Sequence, residues 1–467
     1  MRKGTSLLVT MLLLLSLILA ACGGGAEPTP TPTTAPAAEP TPTEAPAEAA
    51  PTEEPTPAEE ATPEEAATEE APAEEAAAEI FAAQPVKIGV LIPLTGALAE
   101  FGPAFQNAAE LARKHLAEAG YEIELVFADT ETAPQPAVDV ANQLVSEGVH
   151  ALIGAAGSGQ SQAVAESVAV PNQIPQISYA STSPLLTSLN DNDFFFRTVP
   201  SDALQGPVLA EVASALGYET VSIFYIDNAY GQGLAESFSN SFSGTVAASV
   251  PIAEEAPSYQ AELSQAASDE AQALVAISYP RQAVIYLREA IEGGYFDTFL
   301  FVDGTKSDKD IPEAVGAEAI EGMYGTAPGS VESDSLTVFN QAYEAEYGEV
   351  PPLPFMTNVY DGVVIASLAA FEAQVAGEEL SGVAVRDHLR SVAGPEGEVV
   401  GAGVDGLRRA LELLSAGEDI NYEGAAGSQD FDENGDVATP IEIWRYENGR
   451  PVTVQLVNPG EPISLEQ

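Results

Sequence analysis

Gly154-Ala155-Ala156-Gly157-Ser158-Gly159-Gln160-Ser161 is the stretch of this chain best equipped for chemistry. It joins an apolar run to a helical one and combines small residues, backbone N–H groups and two serine hydroxyls. Such donors at a strand-to-helix turn suit an anion, a carboxylate in particular. The stretch lacks the Lys-Ser/Thr ending of a phosphate-binding loop, and no base follows where a nucleophile elbow would need one. The other reading is a tight turn that holds nothing. Elsewhere the means for catalysis are few. The histidines are His115 in a charge-rich helical segment, His150 beside a strand, and His388. His115 and His150 neighbour no nucleophile in sequence, and no His/Asp/Glu spacing fits zinc, so surface or structural roles are expected. Asp432-Glu433-Asn434-Gly435-Asp436 opens like a calcium-binding loop, but Val437 stands where glycine is needed and Ile443 where a bidentate glutamate is needed. A turn is expected there. Neither enzymatic activity nor a metal or cofactor is expected.

The elements that must position these residues follow a regular rhythm. Residues 86–92, Val-Lys-Ile-Gly-Val-Leu-Ile, read as a buried strand by length and β-branching. Helical periodicity over 105–119 is stopped by Gly120. A strand over 122–127, a helix over 137–147, a strand over 150–154, a helix over 162–170 and a strand over 176–179 follow. The rhythm restarts after Arg197-Thr198-Val199-Pro200, with helices over 204–216 and 233–242 and strands over 220–225, 245–252, 273–277 and 298–302. Strands alternating with helices imply parallel βαβ units. The fold class expected is α/β, with two doubly wound parallel-sheet lobes. Past residue 328 the pattern shifts to long helices, 361–376 and 406–416. It ends in a hairpin, 441–446 and 453–457, turning at Asn448-Gly449.

Composition sets the setting. Cys22 is the only cysteine in 467 residues, which excludes an intrachain disulfide and a cysteine-based metal site. It directly follows an apolar run, residues 7–21, that begins after Arg2-Lys3. This is the pattern of a secretory signal peptide, too short for a membrane span. Leu19-Ala20-Ala21-Cys22 resembles a bacterial lipobox, which implies lipid attachment at Cys22 and an extracytoplasmic, membrane-anchored protein. Residues 22–84 are rich in Pro, Thr, Ala and Glu, with fifteen glutamates between Glu27 and Glu79 and no Lys or Arg. They carry too little apolar surface to fold, and are expected to form a disordered tether. The net charge of −55, from 71 acidic and 16 basic residues, disfavours nucleic acid and anionic lipid as partners.

Several motifs together resemble the type I periplasmic binding proteins, and within them the branched-chain amino acid substrate-binding proteins of ABC transporters. They are Ile88-Gly89-Val90-Leu91-Ile92-Pro93-Leu94-Thr95-Gly96, Phe196-Arg197-Thr198-Val199-Pro200-Ser201-Asp202, Asp227-Asn228-Ala229-Tyr230-Gly231-Gln232-Gly233, Glu321-Gly322-Met323-Tyr324-Gly325-Thr326-Ala327-Pro328, Tyr360-Asp361-Gly362 and Phe431-Asp432-Glu433-Asn434-Gly435-Asp436. The resemblance implies two lobes joined by three crossovers, near 199–203, 325–329 and 430–432. Lobe one would comprise 86–200 and 327–430, lobe two 201–326 and 431–467, with hinge closure on a small ligand between them. It also implies site residues. Ser158 and Thr182, the latter in Ala180-Ser181-Thr182, would bind a carboxylate, the Ala180 carbonyl would accept from an ammonium, and Ser181 between them is expected at the ligand too. Tyr230 would close over the ligand backbone, Tyr279 and Phe101 would wall its side chain unless they are ordinary packing, and Asp303 would pair with the ammonium. If Asp303 points elsewhere, amides, ureas or aromatic acids replace an α-amino acid as the expected ligand. The partners implied are the small-molecule ligand, ABC permease subunits and the membrane through the lipid anchor. A monomer is expected. A sensory receptor of the same fold is the alternative, and an extracellular hydrolase lacks any triad or dyad.

Overall fold

A computed structural model describes residues 85–267 and 271–465. The signal segment 1–21, Cys22 and the tether 22–84 lie outside the described residues. Two parallel sheets organise the rest. The first contains β1 (Val86–Ile92), β2 (Ile123–Asp129), β3 (Ala151–Ile153), β4 (Gln176–Ser178) and β5 (Phe195–Arg197), in the spatial order β2-β1-β3-β4-β5. Val86 pairs with Ile123 and Ile88 with Ala151, all in parallel register. The second contains β6 (Thr220–Ile226), β7 (Thr245–Ile252), β8 (Ala273–Ile277) and β9 (Phe299–Leu300), in the order β7-β6-β8-β9. In both, the strand order reverses beside the first strand of the sheet. Open α/β sheets bind ligands at that point, outside the C-terminal strand ends.

The inner strands of each sheet are buried because they are apolar on both faces and the crossovers are helices, whereas the edge strand β7 is largely exposed. β8, Ala-Leu-Val-Ala-Ile, is buried at every position. The helix Gly102–Ala119 begins with a proline in its first turn and ends on Gly120, whose φ of 111° gives the left-handed cap. The helix Met356–Val375 is buried nearly all round, as an element with no polar face must be, and packs on the first sheet and on the helix Gly102–Ala119. Further along the chain come β10 (Tyr324–Pro328) and a short parallel pair, β11 (Glu398–Gly401) and β12 (Ile420–Glu423). A third sheet joins β10 to the hairpin β13 (Ile441–Glu447) and β14 (Arg450–Val457). The hairpin turns through Asn448 and Gly449, both at positive φ. The bridge Phe301–Gly325 ties this sheet to the second.

Three of the departures from the sequence expectation lie close to strand ends or to the first turn of a helix. The helix expected over 162–170 starts at Ser158 and passes through a π-turn at Ala165–Ala169. Its first turn is polar yet buried, so hydrophobic periodicity does not reveal it. β5 is only three residues long and lies inside the stretch read as a crossover motif. The strand expected over 298–302 narrows to Phe299–Leu300, because Asp303–Thr305 turns into a 3₁₀ segment.

The histidines have structural partners. His115 Nδ1 lies 2.8 Å from the Tyr360 hydroxyl, and the backbone N–H of Lys87 donates to His150 Nδ1 at 3.2 Å. His388 sits between Glu372 and Glu378. The Asp432 loop is a turn: Asp432 Oδ1 accepts from the backbone N–H of Asn434 and of Asp436. Among the described residues no cluster of three or more His, Cys, Asp or Glu could hold a metal, and no helix is long and apolar enough to cross a membrane.

Candidate functional site

The C-terminal ends of β3, β4 and β9 and the loop before the helix Gly102–Ala119 converge on one cavity. It offers about 310 Å³ of space free of protein atoms, open solvent at its mouth included. Six of the residues expected at the site line it: Phe101, Ser158, Ala180, Tyr230, Tyr279 and Asp303. Leu98, Phe105 and Phe355 complete an apolar wall.

At one end stands Ser158, at the first position of its helix and 1 % exposed. Its Oγ accepts from the backbone N–H of Ser183 at 3.2 Å, which leaves the hydroxyl hydrogen to donate elsewhere. The facing loop, 181–183, is held from below by Arg197. This guanidinium is fully buried. It pairs with both carboxylate oxygens of Asp436 at 2.6 Å and donates to the Ser181 and Ser183 carbonyls at 3.2 and 3.0 Å. The Phe196–Asp202 and Phe431–Asp436 motifs are thereby joined: one supplies the cation, the other its bidentate partner.

Ser181 does not line the cavity. Its hydroxyl is directed to the Ala155 and Ala156 carbonyls and to Ser161 Oγ, and its backbone N–H donates to Ser178 Oγ. It braces the loop from behind. Thr182 does not line the cavity either. Its carbonyl accepts from the Asp202 N–H at 2.7 Å, and its buried Oγ1 has no hydrogen-bond partner among the described residues.

The other end is acidic. Asn228 caps the helix Ala229–Ser241, its amide oxygen accepting from the N–H groups of Tyr230 and Gly231, and so fixes Tyr230 in the first turn. The Tyr230 ring stacks on Tyr279 with centroids 5.5 Å apart and planes within 9°. Its hydroxyl donates to Asp303 Oδ1 at 2.8 Å and accepts from the Gly304 N–H at 3.3 Å. Gln205 Nε2 donates to the same carboxylate oxygen at 2.9 Å. Glycine is required at 304, since a Cβ there would collide with the Ser278 carbonyl oxygen and lie 2.9 Å from the Tyr230 hydroxyl. Burial pushes the Asp303 carboxyl up to about 6, against the opposing pull of the Tyr230 and Gln205 hydrogen bonds.

Sequence reasoning misses Asp202. It is fully buried, opens the helix Asp202–Ala215, and neither carboxylate oxygen has a hydrogen-bond partner among the described residues. Burial, and then the charge of Asp303, push its carboxyl well above the usual range; the Thr182 hydroxyl and the Arg197 charge oppose the shift. Asp202 does not line the cavity, but its buried carboxyl adds negative charge near Asp303, which a cation in the cavity would offset. The available signal is its place as the last residue of the Phe196–Asp202 motif, at the start of the helix Asp202–Ala215. Leu98, Phe105 and Phe355 carry no signal beyond their apolar character.

Residues 85–449 match the family model described as periplasmic binding protein. The chain belongs to the type I periplasmic binding proteins. It is 28 % identical over 363 residues to a chemotactic signal transduction system substrate-binding protein of Halobacterium salinarum, covering 75 % of this chain and 84 % of that one. A solved leucine-binding protein of Thermotoga maritima is similar at 26 % identity and a TM-score of 0.68, over 80 % of this chain and 99 % of that one. A solute-binding protein of an ABC transporter from R. palustris, solved in complex with benzoate, shares the fold at 19 % identity and a TM-score of 0.64, over 80 % and 97 %. This periplasmic binding protein is a solute-binding protein of the branched-chain amino acid transporter type, not an enzyme, and the family's place of work is extracytoplasmic.

Proposed function

We propose that this protein captures an α-amino acid with an apolar side chain in the cleft between its lobes. The observation that carries the reading is the pairing of opposite chemistries across one apolar cavity. Ser158 offers a hydroxyl to the cavity, and Asp303 with Tyr230 offers a negative, hydrogen-bonded acceptor to the same cavity. A zwitterion matches both ends, its carboxylate towards Ser158 and its ammonium towards Asp303 and the Ala180 carbonyl. Leu98, Phe101, Phe105, Tyr279 and Phe355 are left for an aliphatic or aromatic side chain. Delivery to an ABC permease, lipid anchoring at Cys22, a monomeric state and lobe boundaries at 86–200 with 327–430 and 201–326 with 431–467 belong to the same proposal. A calorimetric screen of the proteinogenic amino acids against benzoate, urea and short amides tests it. Binding of an apolar amino acid is expected, and binding of benzoate or an amide with no response to any amino acid would overturn it.

A second reading is favoured by one observation, the name of the Halobacterium salinarum relative, which couples a substrate-binding protein to chemotactic signalling. The ligand and the cleft would be the same and the partner would differ. Deleting the gene and measuring uptake and taxis separately distinguishes the two: loss of uptake supports delivery, and loss of taxis with normal uptake supports sensing.

A further inference from the structure

Glu100 precedes the cavity residue Phe101 in the segment assigned to the first lobe, yet its hydrogen bonds go to the segment assigned to the second. The Ser307 hydroxyl lies 2.9 and 2.8 Å from its two carboxylate oxygens, and the Lys309 N–H donates to Oε1 at 3.0 Å. Ser307 is fully buried and its Oγ accepts in turn from the Ile311 N–H at 3.0 Å, so its hydrogen is directed to Glu100. These groups sit at the end of the turn that begins with Asp303. The turn is continuous: Thr305 N–H donates to the Val302 carbonyl, Lys306 N–H to that of Asp303 and Ser307 N–H to that of Thr305. The Tyr446 hydroxyl donates to the Ser307 carbonyl from the far side.

We propose that Glu100 is a positioning residue that couples closure of the cleft to presentation of Asp303. When the lobes meet, Glu100 grips the distal end of the Asp303 turn while Phe101, its neighbour in the chain, closes the apolar wall. A second seam, where Ser183 Oγ donates to the Ala229 carbonyl at 2.7 Å, closes the other side. Its tightness is set by Gly233, whose Cβ would meet Ser183 Oγ and Pro184 Cδ at 2.8 Å. Glu100 touches no ligand; it acts through Asp303. The inference rests on the proposed amino acid reading.

The test is stopped-flow binding of leucine, isoleucine, valine and phenylalanine to the wild-type protein, Glu100→Ala, Glu100→Gln and Ser307→Ala. Hydrogen bonds to a charged group and lifetime-dominated affinity changes predict a dissociation rate raised about 10- to 100-fold in Glu100→Ala, with association changed by less than about threefold. Glu100→Gln, which keeps one accepting oxygen, should lie between wild type and Glu100→Ala. The double variant Glu100→Ala/Ser307→Ala should lose little more than either single one. Against 4-methylpentanoate, which lacks the ammonium, the Glu100→Ala effect should shrink. Dissociation rates within about twofold of wild type in both single variants overturn the inference and leave the amino acid reading intact. No binding of any of the four amino acids by the wild type overturns both.

Discussion

Asp303→Asn separates an amino acid from an aromatic acid as the ligand. Asparagine keeps the shape of the side chain and an oxygen that accepts from Tyr230 and Gln205, which now hold Asp303 Oδ1 at 2.8 and 2.9 Å. It removes the charge and turns an amide NH₂ towards the ligand. Loss of one partner from a buried, hydrogen-bonded charge pair costs about 2–5 kcal/mol. Affinity for an α-amino acid should therefore fall about 30- to 5000-fold. A ligand whose only charge is a carboxylate loses nothing and escapes a like charge, so benzoate should bind the variant at least as well as the wild type. The ligand-free protein should gain stability. The Asp303 carboxyl is raised from 3.8 to about 6, so the folded state binds the proton more tightly than the unfolded one, and stability from this group falls as pH rises between those values. At neutral pH the penalty is about 3 kcal/mol, which asparagine relieves. Calorimetry with leucine and benzoate, with thermal unfolding of the ligand-free forms, reads all three effects. Leucine affinity within about threefold of wild type would refute the pairing of Asp303 with an ammonium.

The same geometry bears on four further measurements. Tyr230→Phe removes the hydroxyl shared by Asp303 and Gly304 and should weaken amino acid binding about 10-fold, measured by calorimetry. Ser158→Ala should weaken binding by a similar factor for amino acids and carboxylic acids alike, because the carboxylate is common to both. Amino acid affinity should rise with pH through about 6 and level off above it, since an ammonium displaces the Asp303 proton; titrations in buffers of different ionisation enthalpy should show proton release. Arg197→Ala leaves Asp436 unpaired and frees the 181–183 loop, so chemical denaturation should show a loss of about 3–5 kcal/mol.

The sheets are legible in the sequence because parallel strands buried on both faces must be short, apolar and β-branched, as 86–92 and 273–277 are. Gly120 and Asn448-Gly449 mark their turns because few other residues accept positive φ. β5 and the first turn of the helix at Ser158 are not legible as elements. One is too short for periodicity, and the other is polar because it is buried against a polar loop. At the site, Ser158, Ala180, Tyr230 and Asp303 can be named through motifs at strand ends. Asp202 ends one of these motifs, but its unusual carboxyl is not legible there, since that character arises from burial near a second carboxyl about a hundred residues away in the chain. Ser181, itself expected at the site, is off the cavity for the opposite reason: its hydroxyl turns inward to the loop that it supports.

Charge distribution argues most directly for a zwitterion over a simple acid. The described residues lining the cavity include Asp303 and no Lys or Arg. The Arg197 guanidinium beneath the 181–183 loop is engaged by Asp436, and Lys306 of the Asp303 turn is paired with Glu442. A carboxylate entering the cleft thus meets a neutral hydroxyl at one end and finds no cation to offset Asp303 and Asp202 at the other. With an ammonium attached, the ligand supplies the missing positive charge beside Asp303, whose carboxyl burial alone pushes up. The cost of burying the Asp303 charge in the empty cleft thereby favours a ligand that brings an amino group.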